Sequence, residues 1–457
     1  MTLDRSRVPD AARVRPFTFP AWEGRQLANG INLMVIAEPR VPLVHFEFLI
    51  PIGADDDPTR LRGLTSLASG LLDEGTRTRS SSEIAESVEQ LGASLFSTAD
   101  WDGTYIGATS LSRHFAELFA LVAEVVRTPS LPPEELDRLR GMRLADLVGR
   151  ASQPAFVAGR QIADLTYGPD HPYGESVLGN ATGIRSITRD DIEAWHRVRA
   201  RPDQLTIIAV GDTTPEQMTE LAQRHLSDWV TDVAPEARSL VAIPRGRARR
   251  IRIIDRPGAA QSELRIARVG LERSSPDYLS ARFVSLILGG KFTSRLNLNL
   301  RERLGITYGV HCRLSGRRGP GPFLVSSAVD SEAVGTAVGE ILGEFDRFAG
   351  GPLPADELDD ARNYLLGAFP YRLQSLDDQA DHLANIVLFG LEDDHYRTLP
   401  GRLSQLSTEA VEDCAGRLLQ TDDLAIVAVG PAEILGSQLE SFGPIELATD
   451  DSADASS

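Results

Sequence analysis

The feature that most constrains the fold of this chain is an internal repeat. Three segments of the first half recur in the same order in the second half. The pairs are Leu131–Asp137 with Leu353–Asp359, Ile187–Ile192 with Leu406–Val411, and Leu205–Gly211 with Leu424–Gly430. Their offsets are 222, 219 and 219 residues, and three matches at nearly one spacing are not a chance event. The chain is therefore expected to fold as two similar halves.

Each half shows the same succession of predicted elements. Strand-like runs come first, amphipathic helices follow, and an apolar strand such as Leu205–Val210 ends the half. This order predicts an α+β fold of two homologous lobes, each a mixed or antiparallel sheet packed with helices. We expect the lobes to face each other as a clamshell, with a crevice between them where ligands bind.

The predicted boundaries follow the composition along the chain. An N-terminal lobe spans residues 1–232, a linker rich in proline and arginine spans 233–250, and a C-terminal lobe spans 251–445. The last segment, 446–457, is acidic and rich in small residues, and we predict that it is disordered. Because 457 residues exceed what one hydrophobic core usually holds, division into lobes is also expected from length alone.

The charge of the chain excludes one large class of partner. The 47 basic and 65 acidic residues give a net charge of −18, which argues against nucleic-acid binding. Two cysteines, Cys312 and Cys414, are too few for a disulfide framework and favour a reducing compartment. No apolar core of a signal peptide is found near the N-terminus, and no apolar run is long enough to span a bilayer. We therefore expect a cytoplasmic protein without membrane or nucleic-acid partners.

The segment Leu286–Leu314 is predicted to bring two polar side chains to one corner. Its helical pattern stops at Gly305, a residue type favoured just past a helix end, and Thr307–Leu314 then alternates as a strand does. Arg301 thus lies on the last helical turn and Tyr308 near the start of the strand. From these residues alone a purely structural role stays open, because the helix macrodipole favours a C-terminal arginine and tyrosine is common in strands.

Four motifs, together with the repeated halves, resemble one known family. They are D-R-P-G-A-A-Q-S-E-L at Asp255–Leu264, L-G-G-K-F-T-S-R-L at Leu288–Leu296, L-R-E-R-L-G-I-T-Y at Leu300–Tyr308 and H-P-Y-G at His171–Gly174. The chain resembles the pitrilysin/insulinase family of zinc metallopeptidases, in particular the half-length bacterial branch similar to mitochondrial processing peptidase. The resemblance extends from about Phe17 to Phe442.

The metal-binding motif of that family is absent from this sequence. Active members carry H-x-x-E-H on a helix, where two histidines bind zinc and the glutamate activates water. Here the frame Gly63–Gly75 is retained, but the motif's positions hold Ser66, Ser69 and Gly70. The histidines of the chain show no zinc-ligand spacing, and Asp146, near the expected third ligand, cannot hold zinc alone. We expect no metal and no cofactor in this chain.

The resemblance implies roles for residues of the C-terminal half. In the family, an arginine and a tyrosine of this half reach the zinc site, where the tyrosine donates to the developing oxyanion and the arginine holds a neighbouring carbonyl. The matching residues are Arg301 and Tyr308, and Phe292, Thr293 and Ser294 are expected to shape the substrate wall. The implied function is the non-catalytic subunit of a heterodimeric zinc peptidase, inactive alone, that binds unfolded peptide. Zinc is expected in the partner, a homologous chain with H-x-x-E-H.

Two alternatives remain open at this point. The chain could be a peptide-binding or scaffold protein of the same fold with no role in catalysis, or a homodimer with weak or no activity. The retained pair of Arg301 and Tyr308 favours the working subunit, because a scaffold gains nothing from two hydrogen-bond donors pointed into a chamber.

Overall fold

The computed structural model describes residues 17–234, 241–243 and 248–448. Within these ranges the chain forms two mixed sheets of six strands, one from each half, and each sheet is packed with helices. The predicted α+β fold of two lobes is confirmed. In the same ranges, no helix combines the length and the apolarity that crossing a bilayer requires.

The first lobe contains strands β1 to β6 and helices α1 to α8. The strands are β1 (Glu23–Gln26), β2 (Asn32–Ala37), β3 (Leu43–Ile50), β4 (Ser94–Ala99), β5 (Thr104–Leu111) and β6 (Thr206–Gly211). The helices are α1 (Leu64–Leu71), α2 (Ser81–Gln90), α3 (Phe115–Arg127), α4 (Pro133–Ala151), α5 (Pro154–Tyr167), α6 (Ala181–Ser186), α7 (Arg189–Arg199) and α8 (Pro215–Leu226).

The second lobe contains strands β7 to β12 and helices α9 to α15. The strands are β7 (Arg250–Asp255), β8 (Gln261–Val269), β9 (Thr307–Leu314), β10 (Pro322–Asp330), β11 (Ala425–Gly430) and β12 (Ile445–Ala448). The helices are α9 (Tyr278–Ser285), α10 (Val334–Gly350), α11 (Ala355–Tyr371), α12 (Leu376–Phe389), α13 (His395–Gln405), α14 (Thr408–Leu418) and α15 (Ala432–Leu439).

The two sheets have corresponding strand orders. The first runs β1-β2-β6-β3-β5-β4 and the second runs β12-β7-β11-β8-β10-β9. The pairs β2–β6 and β7–β11 are parallel, and β3 and β8 lie antiparallel to β6 and β11. The sheets differ at one end, where β1 forms an antiparallel pair with β2 but β12 lies parallel to β7. At the other end, β4 and β9 are outer strands, which leaves each with an edge that can accept another strand.

The strands that end each half are buried on both faces. Every residue of β6 (T-I-I-A-V-G) and of β11 (A-I-V-A-V-G) is buried, so these strands are continuous apolar runs and not alternating ones. The helices of the same half cover one face of each sheet, and the other face meets the opposite lobe.

A helix of each half packs on the sheet of the other half. Helix α5 lies on β8 and β11 of the second sheet, and α12 lies on β3 and β6 of the first. The α5 interface consists of buried aliphatic side chains, namely Val157, Ala158, Ile162 and Leu165 against Ile254, Ala267, Ala425, Val427 and Val429. Each fully buried larger aliphatic side chain contributes about 1.5–3 kcal/mol. The lobes therefore face each other across packed helices.

Two predicted boundaries differ from the structure. Arg250, assigned to the linker, begins β7, and Glu446–Ala448, assigned to a disordered tail, belong to β12. The reason is the open side of β7, where parallel pairing satisfies backbone groups whatever the side-chain composition. The rest of the predicted tail, 449–457, and linker residues 235–240 and 244–247 lie outside the described residues.

Candidate substrate-contact site

The corner that carries Arg301 and Tyr308 is built from two wide helical turns. After α9, residues Leu286–Gly290 form one π-helical segment and Asn297–Arg303 form another. The sequence predicted a helical pattern that stops at Gly305, and the structure has a helix there whose turns are wider than those of an α-helix. Segments of π-helix are rare and often occur at functional sites.

Gly289 allows the first of these turns to lie against β9. A Cβ atom at this position would stand 2.6 Å from the backbone nitrogen of Cys312, closer than Cβ atoms come to other atoms in proteins. Any larger residue would force the turn and the strand apart. The glycine that interrupts the apolar pattern is thus explained by close packing.

Asn297 fixes β9 to the second wide turn. Its side-chain amide nitrogen donates to the carbonyl of Val310 at 2.8 Å, and its amide oxygen accepts from the N–H of Val310 at 2.9 Å. The side chain is buried, so both bonds form away from water. Asn297 therefore sets the position of the strand that carries Tyr308 relative to the helical turn that carries Arg301.

Tyr308 is fully displayed on the protein surface. It is the second residue of β9, and 88% of its surface is exposed. Because β9 is an outer strand, the phenol stands beside an open strand edge. A large aromatic side chain this exposed contributes nothing to the core.

Arg301 is held over an aromatic ring on the same surface. Its guanidinium carbon lies 4.1 Å from the centre of the Phe292 ring, and its Nε lies 3.4 Å from a carboxylate oxygen of Glu302. Phe292 is 65% exposed and Leu298 is 50% exposed. Phe292, Leu298, Arg301 and Tyr308 are referred to below as the corner surface. Arg301 contacts Phe292, whereas no hydrogen bond joins it to Tyr308 within the described residues.

The two other predicted wall residues have different environments. Thr293 is exposed beside Phe292, as a wall residue should be. Ser294 is only 1% exposed, and its hydroxyl accepts a hydrogen bond from the Asn297 amide at 3.0 Å. The side chain of Ser294 therefore orients Asn297 and does not face a substrate. The sequence could not distinguish the two positions, because both are small hydroxyl residues in a turn.

Helix α1, which carries the positions of the missing zinc motif, begins at a buried carboxylate. The oxygens of Asp57 accept the backbone N–H groups of Gly63 and Thr65 at 2.9 and 3.0 Å and the Thr65 hydroxyl at 2.6 Å. Burial raises the pKa of Asp57 to about 6, against the effect of these donors. The Trp195 ring nitrogen donates to the same Thr65 hydroxyl. The start of α1 is thus fixed without any metal ligand.

The residues at the positions of the missing zinc motif form hydrogen bonds with neighbouring parts of the first lobe. Ser66 accepts a hydrogen bond from the Arg143 guanidinium of α4 at 3.2 Å. The Ser69 hydroxyl donates to the carbonyl of Ser66, and the carbonyl of Ser69 accepts from Ser97 of β4. At Gly70, no described atom outside the adjacent residues and the helix's own backbone lies within 4 Å of where a Cβ would stand.

These residues do not suit zinc. Ser66, Ser69 and Gly70 offer no imidazole or carboxylate, and the guanidinium of Arg143 would repel a metal ion. Asp146, the expected third ligand, forms an ion pair with Arg150 at 2.8 Å. Among all the residues that the structure describes, no group of three His, Cys, Asp or Glu side chains is placed to hold a metal ion.

The H-P-Y-G motif joins the two lobes. The Tyr173 hydroxyl accepts the backbone N–H of Gly319 at 3.1 Å, and Arg317 of the second half stacks on the Tyr173 ring at 4.4 Å. The same guanidinium lies 3.8 Å from the Trp101 ring. Burial lowers the pKa of His171 to about 4, so this histidine is neutral and accepts the N–H of Tyr173. The motif is therefore structural in this chain.

Sequence reasoning missed Asn297 and Arg143. The alternation L-N-L-N-L over Leu296–Leu300 contains a signal for Asn297, because an asparagine on the apolar side of a helix needs buried partners. Arg143 has no such signal, since an arginine on an amphipathic helix is usually solvated.

Two family models match the chain. Residues 34–161 match the insulinase model of peptidase family M16, and residues 186–365 match the peptidase M16 inactive domain. The first match lies within the first lobe, whereas the second begins in the first lobe, before α7, and extends to α11 of the second.

Curated relatives and solved structures agree with these models. An uncharacterised zinc protease of Streptomyces coelicolor is 24% identical over 75% of this chain and 75% of its own length. A protein of Helicobacter pylori described as a non-peptidase homologue is 21% identical over 88% of this chain and 94% of its own. The beta subunit of mitochondrial-processing peptidase from Lentinula edodes is 23% identical over 59% of this chain and 58% of its own. The crystal structure of a peptidase M16 inactive domain from Pseudomonas fluorescens superposes with a TM-score of 0.83 at 25% identity, over 90% of this chain and 98% of its own.

Fold and site together define a peptidase-like protein of two mixed-sheet lobes whose metal positions lack ligands. The chain belongs to the insulinase family of peptidases, family M16, which confirms the resemblance drawn from the motifs.

Proposed function

We propose that this chain is the non-catalytic subunit of a heterodimeric zinc peptidase. Its partner is a homologous chain with an intact H-x-x-E-H motif and its zinc. Arg301 holds a backbone carbonyl of an extended, unfolded peptide, and Tyr308 donates its phenol hydrogen to the carbonyl oxygen that becomes negatively charged during cleavage. Donors aimed at developing charge typically contribute about 10²–10³-fold in rate each.

The observation that carries the proposal is the exposure of Tyr308 on an outer strand. The phenol has no partner in its own lobe among the described residues, and the open edge of β9 lets an extended peptide align beside it. Arg301 is ordered by Phe292 and still reaches solvent. The exposed apolar side chains around Arg301 favour contact with another protein chain over contact with water.

The relatives support both the proposal and one alternative to it. The fungal relative is named as one subunit of a processing peptidase, which supports a two-chain enzyme. The relative from Helicobacter pylori is described as a non-peptidase homologue, which favours a peptide-binding or scaffold protein without a role in catalysis. A homodimer with weak or no activity is the third possibility that the same experiments address.

Reconstitution distinguishes these functions. The purified chain alone is expected to contain no stoichiometric zinc and to cleave no unfolded peptide. Mixed with a homologue from the same organism that carries H-x-x-E-H, it should form a 1:1 complex that cleaves faster than the homologue alone. One zinc per chain in the purified protein would contradict the interpretation of α1. A complex that forms but cleaves no faster than the homologue alone would favour the scaffold function over the proposed role in catalysis.

The position of the partner can be mapped through one side chain. Lys291 is the only lysine of the sequence and lies next to Phe292, so an amine-reactive cross-linker can attach only there or at the N-terminus. With the N-terminus acetylated, we expect cross-links from Lys291 to the partner. The variant Lys291→Arg keeps the charge and should abolish them. Cross-links that persist in this variant, or a complex that forms without any, would place the partner elsewhere.

A cytoplasmic location remains part of the proposal. Its support is that Cys312 and Cys414 are both buried as free thiols, as is usual in reducing compartments. Cell fractionation with an antibody against the chain tests it.

A further inference from the structure

A cavity of about 420 Å³ lies between the first sheet and helix α12, and its lining includes no residue of the corner surface. Its walls come from β3, β4 and β5 of the first lobe and from α12 of the second. The lining residues that matter here are His45, Glu47, Phe96, Tyr105, Asp377 and Asp381. The proposed function uses none of them.

Two of these side chains are buried with unsatisfied polar atoms. Glu47 is 2% exposed and His45 is 3% exposed, and neither Glu47 Oε1 nor His45 Nε2 has a hydrogen-bond partner among the described residues. The Nε2 atom lies 3.9 Å from the other Glu47 oxygen, too far for a hydrogen bond. The other ring nitrogen, Nδ1, pairs with the Thr109 hydroxyl at 2.9 Å. Burial of a polar atom without a hydrogen-bond partner costs free energy. A bound ligand that supplies the missing partner would remove this cost.

The surroundings of Glu47 are acidic. Asp377 and Asp381 of α12 also line the cavity, and of the residues described neither an arginine nor a lysine does. Loss of solvent, Glu47 and the neighbouring aspartates raise the pKa of Asp381 to about 7, although His45 acts in the opposite direction. Carboxylates collected in one cavity repel each other, and a positive charge between them would offset the repulsion.

We propose that this cavity binds a small organic cation through an ammonium or guanidinium group, with Glu47 and Asp381 accepting its hydrogen bonds. A metal ion fits less well, because no three potential ligands in the described part of the chain are placed around one point. An ammonium or guanidinium group forms hydrogen bonds that are longer than metal–ligand bonds, so it can contact acceptors that are farther apart than the ligands of a metal ion. The rings of Phe96 and Tyr105 offer apolar and cation–π contact for that stem.

Two sources could supply such a group, namely a free diamine and the side chain of a lysine or arginine in another protein. The first arm of the experiment therefore titrates the full chain with putrescine and agmatine by calorimetry, with 1,4-butanediol as the uncharged match of putrescine. The second arm uses Nα-acetyl-lysine methylamide, which presents the side-chain ammonium alone. We expect the amines to bind and butanediol not to bind. Comparison of the two arms then identifies the source.

Variants show whether binding occurs in this cavity. Glu47→Gln keeps the shape of the side chain and should weaken amine binding about tenfold or more, the effect of one hydrogen bond to a charged group. Glu89→Gln, on the exposed face of α2, is the matched control and should bind normally. Because Glu47 Oε1 is buried without a hydrogen-bond partner among the described residues, Glu47→Gln should fold about as well as the parent chain. The thermal midpoint without ligand verifies this.

The pH dependence supplies an independent readout. Asp381 faces Glu47 and His45 of β3, Tyr105 of β5 and Asp377 and Asp378 of its own helix. Since its pKa is raised to about 7, it carries the negative charge that attracts an ammonium group only once it is deprotonated, and amine affinity should rise as pH increases through that value. Asp381→Asn should remove this rise.

Three results would overturn the proposal. The first is equal binding of butanediol, and the second is unchanged binding in Glu47→Gln. The third is absence of any amine binding at about 1 mM, where an ammonium site of ordinary strength is half filled. None of these results bears on Arg301 and Tyr308, so the proposed function stands or fails separately.

Discussion

The outer strands β4 and β9 end the two sheets at corresponding places, yet the corners beside them present opposite surfaces. Beside β4, α1 is almost entirely buried, and its serines bond to backbone groups and to Arg143. Beside β9, Phe292, Leu298 and Tyr308 are exposed, and Arg301 lies over Phe292. One corner satisfies its own polar groups, and the other offers donors and apolar surface outward.

This difference is the basis on which we propose that the second corner, and not α1, contacts a substrate. At α1, the positions compared with a zinc motif hold small residues beside the guanidinium of Arg143, and the helix is well packed. At the second corner, beside β9, three uncommon structural features hold the exposed residues in place. They are the wide helical turns, the glycine against Cys312 and the asparagine bonded to Val310. A fold that needed only stability would not require an exposed tyrosine held by such a framework, which is why we assign the function to the second corner.

The largest expected effect concerns Tyr308 of the corner surface. In the reconstituted complex, Tyr308→Phe removes one hydrogen-bond donor and should lower kcat about 10²–10³-fold, because the donor acts on charge that develops only during the reaction. Affinity for the partner should change little, since the ring is retained. Peptide cleavage and size-exclusion chromatography of the complex measure the two quantities.

The control for this variant is another exposed tyrosine. Tyr371, on α11, is 73% exposed, and Tyr371→Phe should leave kcat unchanged. If Tyr308→Phe cleaves peptide at the parent rate while the complex is intact, Tyr308 has no part in the mechanism, and the comparison of the two corners loses its functional meaning.

The next effect concerns the framework of the same corner. Gly289→Ala places a Cβ 2.6 Å from the Cys312 nitrogen and should lower the free energy of unfolding of the second lobe by about 1–3 kcal/mol, as overpacking usually does. The strain should be local to β9. Hydrogen exchange of the β9 amides, followed by mass spectrometry, should therefore accelerate more than exchange in β4.

An unchanged exchange rate in β9 would mean that the strand moves away from the turn without cost. In that case the relative positions of Arg301 and Tyr308 are not fixed by Gly289, and the remaining constraint is the pair of hydrogen bonds between Asn297 and Val310.

The fold was largely predictable from the sequence because its signals are local and repeated. The apolar strand at Leu205–Gly211 and its echo at Leu424–Gly430 correspond to β6 and β11, which occupy matching places in the two sheets. The exchange of α5 and α12 between lobes was not predictable, because an amphipathic helix shows which face is buried and not which sheet buries it.

Around the candidate site, the sequence predicted the local secondary structure but not the contacts between elements. Arg301 and Tyr308 flank the turn at Gly305 as predicted, since a glycine past a helix and an alternating strand are strong local patterns. The burial of Ser294 depends on Asn297, and the guanidinium beside Ser66 depends on the packing of α4 on α1. Both are contacts between elements, and a single sequence carries no record of such contacts.

The smallest expected effect is at the corner beside β4, referred to as the closed corner because α1 is almost entirely buried there. Gly70 lies within α1, and no described atom outside its own helical turn stands within 4 Å of the place that an added Cβ would occupy, so Gly70→Ala meets no obstacle. A helical glycine replaced by alanine stabilises a protein by about 0.5–1 kcal/mol, because the unfolded chain loses conformational freedom. Thermal unfolding should thus show opposite shifts for Gly70→Ala and Gly289→Ala, although both replace glycine by alanine beside an outer strand. A destabilising Gly70→Ala would mean that the position is kept free for something that approaches α1, and the closed corner would then have to be treated as a binding surface as well.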